Sequence, residues 1–170
     1  MKKIIALLLY SFVFFLSFSC RKDPFDSKSG AIKARINGSE KTFTNAVRAS
    51  LKNLNSGSPY FLDIYGSVSS GDSHPEEIKL EVRSLNPITT ATYSALSITN
   101  GSPGVAINYS IYNFLTPGYI EFNSDYLTTN NNATITLNAI SSSSVQGTFK
   151  GDVAAGGSII HIEGEFKVNF

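Results

Sequence analysis

This chain of 170 residues has no tryptophan, one cysteine, two histidines, and only 16% of its residues charged. Each scarcity narrows what it can do. A single cysteine excludes an intramolecular disulfide framework and any cysteine-rich zinc site. Two histidines leave little from which to build a metal or catalytic cluster, so no cofactor and no metal are expected. Charge of one sign is also missing: fourteen basic residues face thirteen acidic ones. Lys2 and Lys3 lie in a segment read below as removed, and without them the net charge is −1. A nucleic-acid binder normally presents a strongly basic face, so that class is set aside. From Ala31 onward there is no run with helical spacing and no repeat of 20–50 residues. The length favours a single domain with ample core.

The N-terminus carries the clearest signal. Met1-Lys2-Lys3 is followed by an apolar run from Ile4 to Phe18, broken only by Tyr10, Ser11 and Ser17. That run is shorter than the roughly 20 residues a helix needs to cross a bilayer core. It fits the signal-peptide pattern of charged start, apolar middle and small residues at the cleavage site. Ser17 and Ser19 satisfy ordinary signal cleavage, which would release a protein with a free N-terminal thiol. The lone cysteine, however, stands immediately after, in Leu16-Ser17-Phe18-Ser19-Cys20. This arrangement resembles a bacterial lipoprotein signal, in which cleavage precedes the Cys and its thiol is then acylated. The usual apolar residue three places before the Cys is here Ser17, with Leu16 one step further back, which is similar to the looser boxes of Bacteroidetes-type lipoproteins. The resemblance implies a signal peptide over 1–19 and lipidation of Cys20, so the membrane is a partner through the lipid. A single acyl chain anchors only reversibly; the two or three chains typical of this pathway hold durably. Residue 21 is Arg rather than the Asp that keeps such lipoproteins in the inner membrane, which points to the outer membrane and leaves the exposed face open. Residues 20–30, ending RKDPFDSKSG, read as a flexible polar tether.

The remainder, 31–170, alternates with period two. Ile78-Lys79-Leu80-Glu81-Val82-Arg83 does so without exception, as does 160–170 if Gly164 is allowed as an inward small residue. Further strands are expected at 31–36, 40–44, 46–51, 60–65, 105–112, 119–123, 133–140 and 145–153. About ten antiparallel strands, each with one apolar face, require packed sheets or a closed barrel; the expectation is an all-β sandwich, with the barrel as the alternative.

Two hairpins can be read in register. Gly156-Gly157 suits a two-residue type I′ turn, which sets Lys150 opposite Glu163, Asp152 opposite His161, Val145 opposite Val168 and Val153 opposite Ile160. The same register lays Phe149 over Gly164 and Phe166 over Gly147, aromatic rings covering glycines. Asn37-Gly38 pairs Arg35 with Glu40 and Ile32 with Phe43 but turns Lys41 inward, a conflict that calls for a bulge or an edge strand. Ser141–Ser144 closes a third hairpin whose register is open.

Candidate chemistry is sparse. Ser73-His74 could form a nucleophile pair, but adjacent residues on an extended segment diverge and triad members come from separate segments. Asp72, Glu76 and Glu77 lack the ligand alternation of a known calcium loop. The expected reading there is a solvated loop. His161 is expected to form a surface pair with Asp152, and Glu163, Glu165 and Lys167 an exposed sheet face. Tyr109 and Ile111 should point inward, leaving Asn108, Ser110 and Tyr112 outward. Tyr112, Tyr119, Tyr126 and Asn108 are the candidate ligand-binding residues, since exposed Tyr with Asn can stack on and hydrogen-bond a sugar. No catalytic residue is assigned.

Taken together, the lipobox, short polar tether, opening strand ending in Asn37-Gly38, and final strand Gly164-Glu165-Phe166-Lys167-Val168 resemble small Bacteroidetes lipoproteins. Those motifs are structural, so no activity transfers with the likeness. The leading expectation is a non-enzymatic, lipid-anchored envelope domain that binds a glycan or an envelope protein. The alternatives are an assembly accessory acting through a sheet edge, and a hydrolase using Asp63, Glu81 or Glu121, all outward-facing by alternation.

Overall fold

The computed structural model describes residues 30–53, 59–68, 71, 73–95, 104–127 and 130–170. The signal segment, Cys20, the tether before residue 30, and Asp72 lie outside the described residues. The described residues form eleven strands: β1 (Gly30–Ile36), β2 (Ser39–Phe43), β3 (Asn45–Asn53), β4 (Tyr60–Ser67), β5 (Glu77–Ser84), β6 (Thr92–Ser94), β7 (Gly104–Asn113), β8 (Gly118–Asn123), β9 (Thr134–Ile140), β10 (Ser144–Ala155) and β11 (Ser158–Asn169). Every strand expected from alternation is there. The eleventh, β6, has only three residues (Thr-Tyr-Ser) and so no alternation to reveal it. It pairs with β9, placing Tyr93 opposite Ile135.

All pairings are antiparallel and form one continuous sheet in the order β2-β1-β11-β10-β8-β7-β5-β4-β3. The sheet folds over at β10. One edge of β10 runs along β11, while the other is shared: Val145 to Lys150 pair with β9, and Ala154 meets Asn123 of β8. Two halves, β2-β1-β11-β10-β9-β6 and β8-β7-β5-β4-β3, thereby face each other over one core. Phe43, Phe166 and Ile32 from the first half and Leu62, Ile64, Ile78, Leu80 and Ile107 from the second are fully buried in it. β2 and β3 end the sheet without pairing, so the architecture is an all-β sandwich and the barrel is not closed. Among the described residues no helix is long and apolar enough to cross a membrane.

The hairpins follow local chemistry. Gly156 and Gly157 take φ of 54° and 87°, and Asn37 and Gly38 take 46° and 84°. Those left-handed pairs are what type I′ turns require. The register of β10 and β11 places Phe149 opposite Gly164, Gly147 opposite Phe166 and Asp152 opposite His161, as read from the sequence. A Cβ on Gly164 would stand 2.1 Å from the Lys33 carbonyl and 2.7 Å from the Phe149 ring. Glycine is therefore a steric necessity there. In the β9–β10 hairpin the register shifts between Gln146 and Gly147. Such a bulge breaks simple pairing arithmetic, which is why this register was illegible. Ser141 Oγ closes that turn by accepting from the Ser143 and Ser144 amides, at 3.2 and 3.1 Å.

Candidate functional site

The conflict at Lys41 resolves through tertiary contacts. β2 is an edge strand, in unshifted register with β1, and Lys41 does turn inward opposite Ala34. Its ammonium lies 2.7 Å from Glu76 Oε1, and the Tyr109 hydroxyl donates to Glu76 Oε2 at 2.5 Å. Tyr109 is buried as expected, with 4% exposure. Burial and then the neighbouring carboxylate push its phenol far above the usual range. Glu76, considered above for a calcium loop, is thus engaged by a cation and a hydroxyl. Among the described residues no cluster of three His, Cys, Asp or Glu side chains could hold a metal ion.

The four candidate ligand residues separate into two places. Tyr112 and Tyr119 oppose each other on β7 and β8, ring centroids 5.4 Å apart, near the hairpin turn. Asn108 opposes Asn123, four residues further along the strand, about 13 Å away at the strand rise. Tyr126 lies beyond β8 on a 3₁₀ turn, Ser124–Tyr126. Around Tyr112 the structure assembles rings that lie far apart in the sequence or across a turn. His74 stacks on it at 3.7 Å, and Phe114 meets it edge-on at 5.0 Å. His74 Nδ1 also lies 2.8 Å from Ser73 Oγ. His161, for its part, forms the surface pair: its Nδ1 is 2.7 Å from Asp152 Oδ1. That bond, with one from Asn132, holds the Asp152 carboxyl below its ordinary range against the opposing effect of burial.

Two of the three carboxylates considered for hydrolysis, Asp63 and Glu81, belong to one charge network. Asp63 opposes Glu81 across β4 and β5, and Lys79 lies 3.5 Å from the first and 3.0 Å from the second. Arg83 Nε sits 2.5 Å from Glu81 Oε1. Glu81 faces away from the core yet is only 8% exposed, which alternation alone did not anticipate. Burial would raise its carboxyl, but the bonds from Lys79 and Arg83 outweigh it and hold the pKa below the usual value. A general acid needs the opposite shift. Glu121 is two strands away from Glu81, exposed and opposite Ser110. Nearby, Asp125 Oδ1 and Asn108 Oδ1 are buried without a hydrogen-bond partner among the described residues.

A concavity of about 740 Å³ lies on the outward face of β2, β1, β11, β10 and β9. Threonines 42, 134, 136 and 148 line it together with Lys33, Arg35, Lys150, Glu40, Glu163 and Glu165. Most of the charges are paired: Arg35 lies 3.0 Å from Glu40 and 3.6 Å from Glu163, Lys33 lies 3.8 Å from Glu165, Lys41 on the same lining is taken by Glu76, and Lys150 stands opposite Glu163 in the register. Thr148 opposes Thr136, whose hydroxyl is 2.9 Å from that of Thr92. The sequence reading placed Glu163 and Glu165 on an exposed face. It missed that five strands gather this face into a groove, because β9 joins β10 through the bulged register. Comparison with protein-family models, curated proteins and solved structures finds no match for this chain.

Proposed function

We propose that this protein is a lipid-anchored envelope domain, non-enzymatic, that binds a neutral saccharide in the groove over β1, β11, β10 and β9. The observation that carries the reading is the composition of that groove: four threonine hydroxyls among mutually compensated charges. Hydroxyls and paired ions offer donors and acceptors at close spacing without a net field. A polyhydroxylated, uncharged ligand matches such a wall, and a phosphate or a strongly basic peptide does not. The anchor follows from Cys20 and the segment before it, which resemble a lipoprotein signal; mass spectrometry of the mature N-terminus tests it through an acylated or a free Cys20 thiol.

The alternative of assembly through a sheet edge would use β2 or β3, the two ends of the strand order. β2 carries Glu40 and Lys41, and β3 carries Lys52 and a bulge between Asn45 and Arg48. Edge charges and bulges discourage strand addition, so the groove is preferred. The test is an array of neutral oligosaccharides probed with the protein and with Thr136→Val/Thr148→Val. Isosteric removal of the hydroxyls should weaken retention at least tenfold; no retention by the unmodified protein rejects the reading.

A further inference from the structure

We propose that the β7–β8 hairpin tip inserts into the interfacial layer of a lipid bilayer. This goes beyond the saccharide reading and does not depend on it. The turn between β7 and β8 projects two large apolar side chains, Phe114 at 73% and Leu115 at 95% exposure. From Ser110 to Ile120 the chain carries no charged residue. Both side chains stand out in solvent, whereas a small-ligand site buries its apolar lining; an exposed apolar pair of this kind fits a soft apolar phase.

The backbone supports the same occupant. In a bilayer every backbone polar group needs a partner within the protein. Asn113 Oδ1 accepts from the amides of Leu115 at 2.9 Å and Thr116 at 3.4 Å, and its Nδ2 donates to Thr116 Oγ1 at 2.6 Å. Pro117 has no amide hydrogen, and Gly118 is in the ladder opposite Asn113. The turn thus satisfies much of its own hydrogen bonding at the apex, where water would otherwise do so.

The next rung back is Tyr112 opposite Tyr119. Tyrosine favours the membrane–water boundary, where the ring is apolar and the hydroxyl wet. His74 and Tyr112 brace Phe114 from behind, at 5.9 and 5.0 Å, so the projection is held rather than loose. Two rungs further back, Ser110 lies between Glu77 and Glu121 on its two neighbouring strands. These carboxylates set the depth, since they stay in water. They also set the preference: zwitterionic bilayers over anionic ones, the reverse of a basic membrane-binding patch.

The absence of tryptophan makes the test clean. The full chain carrying Phe114→Trp is bound to phosphatidylcholine vesicles containing brominated acyl chains. A second variant, Ile159→Trp, places the reporter on an exposed residue of β11. The proposal expects Trp emission at 114 to shift to the blue and lose at least half its intensity, with no such change at 159. Adding Leu115→Asp, or the milder Leu115→Ser if the former disturbs folding by circular dichroism, should cut the quenching severalfold. Substituting half the lipid with phosphatidylglycerol should weaken it. Equal quenching at 114 and 159, no quenching at either, or a response at 114 to neutral oligosaccharides instead of lipid overturns the proposal. Thr136→Val/Thr148→Val leaves the quenching intact if the groove and the tip act separately, so failure at one surface does not imply failure at the other.

Discussion

Lys41 and Glu76, thirty-five positions apart, meet with 2.7 Å between Nζ and Oε1, tying an inward residue of an edge strand to the loop before β5. Tyr109 completes the contact from β7. A cation directed inward from β2 would be costly alone. Here it joins the two halves of the folded sheet close to the edge where they do not pair.

Removing two members of this trio together should cost less than the two separate removals added up. Lys41→Met leaves Glu76 with only Tyr109 as partner, and a destabilisation of about 1–3 kcal/mol is expected. Lys41→Met/Glu76→Gln should cost less than the sum of its single changes. Urea denaturation of the four proteins measures both.

The aromatic-over-glycine pairs should be intolerant of a single methyl group. In Gly164→Ala the new carbon would meet the Lys33 carbonyl and the Phe149 ring. Because one contact is backbone, a rotamer change cannot relieve it, and a cost of at least about 1–3 kcal/mol is expected. Gly157→Ala is the comparison: nothing lies within 4 Å, and only its φ of +87° opposes the change. Thermal melts of both variants should show the larger loss for Gly164→Ala.

Asp125 and Glu81 should affect the pH profile with opposite signs. Burial raises the Asp125 carboxyl, helped by Glu81 and opposed by Arg83. A folded pKa above the unfolded one means the native state holds its proton longer, so stability falls as pH rises out of the acid range. Asp125→Asn removes that loss and should gain stability over the unmodified protein at pH 7 relative to pH 4. Glu81, held low by its cations, gives stability present above the ordinary carboxylate range and lost as pH falls through its folded pKa. Glu81→Gln should therefore be most harmful at neutral pH. Denaturation midpoints at pH 4, 5.5 and 7 separate the two.

The surface pair should matter little by comparison. Asp152→Asn weakens the contact with His161, but the His161 side chain is 53% exposed. Exposed pairs contribute roughly 0–1 kcal/mol, and the loss should vanish below the Asp152 pKa, where a neutral carboxyl takes the place of the carboxylate. Repeating the unfolding series on this variant checks the size and the pH window.

Legibility in the sequence followed the range of the interactions. The strands and the Gly156-Gly157 and Asn37-Gly38 hairpins were readable because turn chemistry and alternation act between near neighbours. The contact between Lys41 and Glu76 was not, since nothing local says which loop approaches β2. Tyr112 and Tyr119 could be singled out as outward tyrosines, but Asn108 and Tyr126 fall at the other end of β8, a separation set by the hairpin register. The groove escaped notice for a related reason: its members are ordinary outward residues until the bulge in β10 brings β9 alongside.

Backbone amide spectra of the protein, recorded while neutral oligosaccharides are titrated in, test the central claim most directly. The account predicts shifts concentrated at Lys33, Thr136, Thr148 and Glu163, with the β7–β8 tip unmoved. Shifts centred on Tyr112 and Tyr119, or a spectrum that does not change at saturating saccharide, would contradict it.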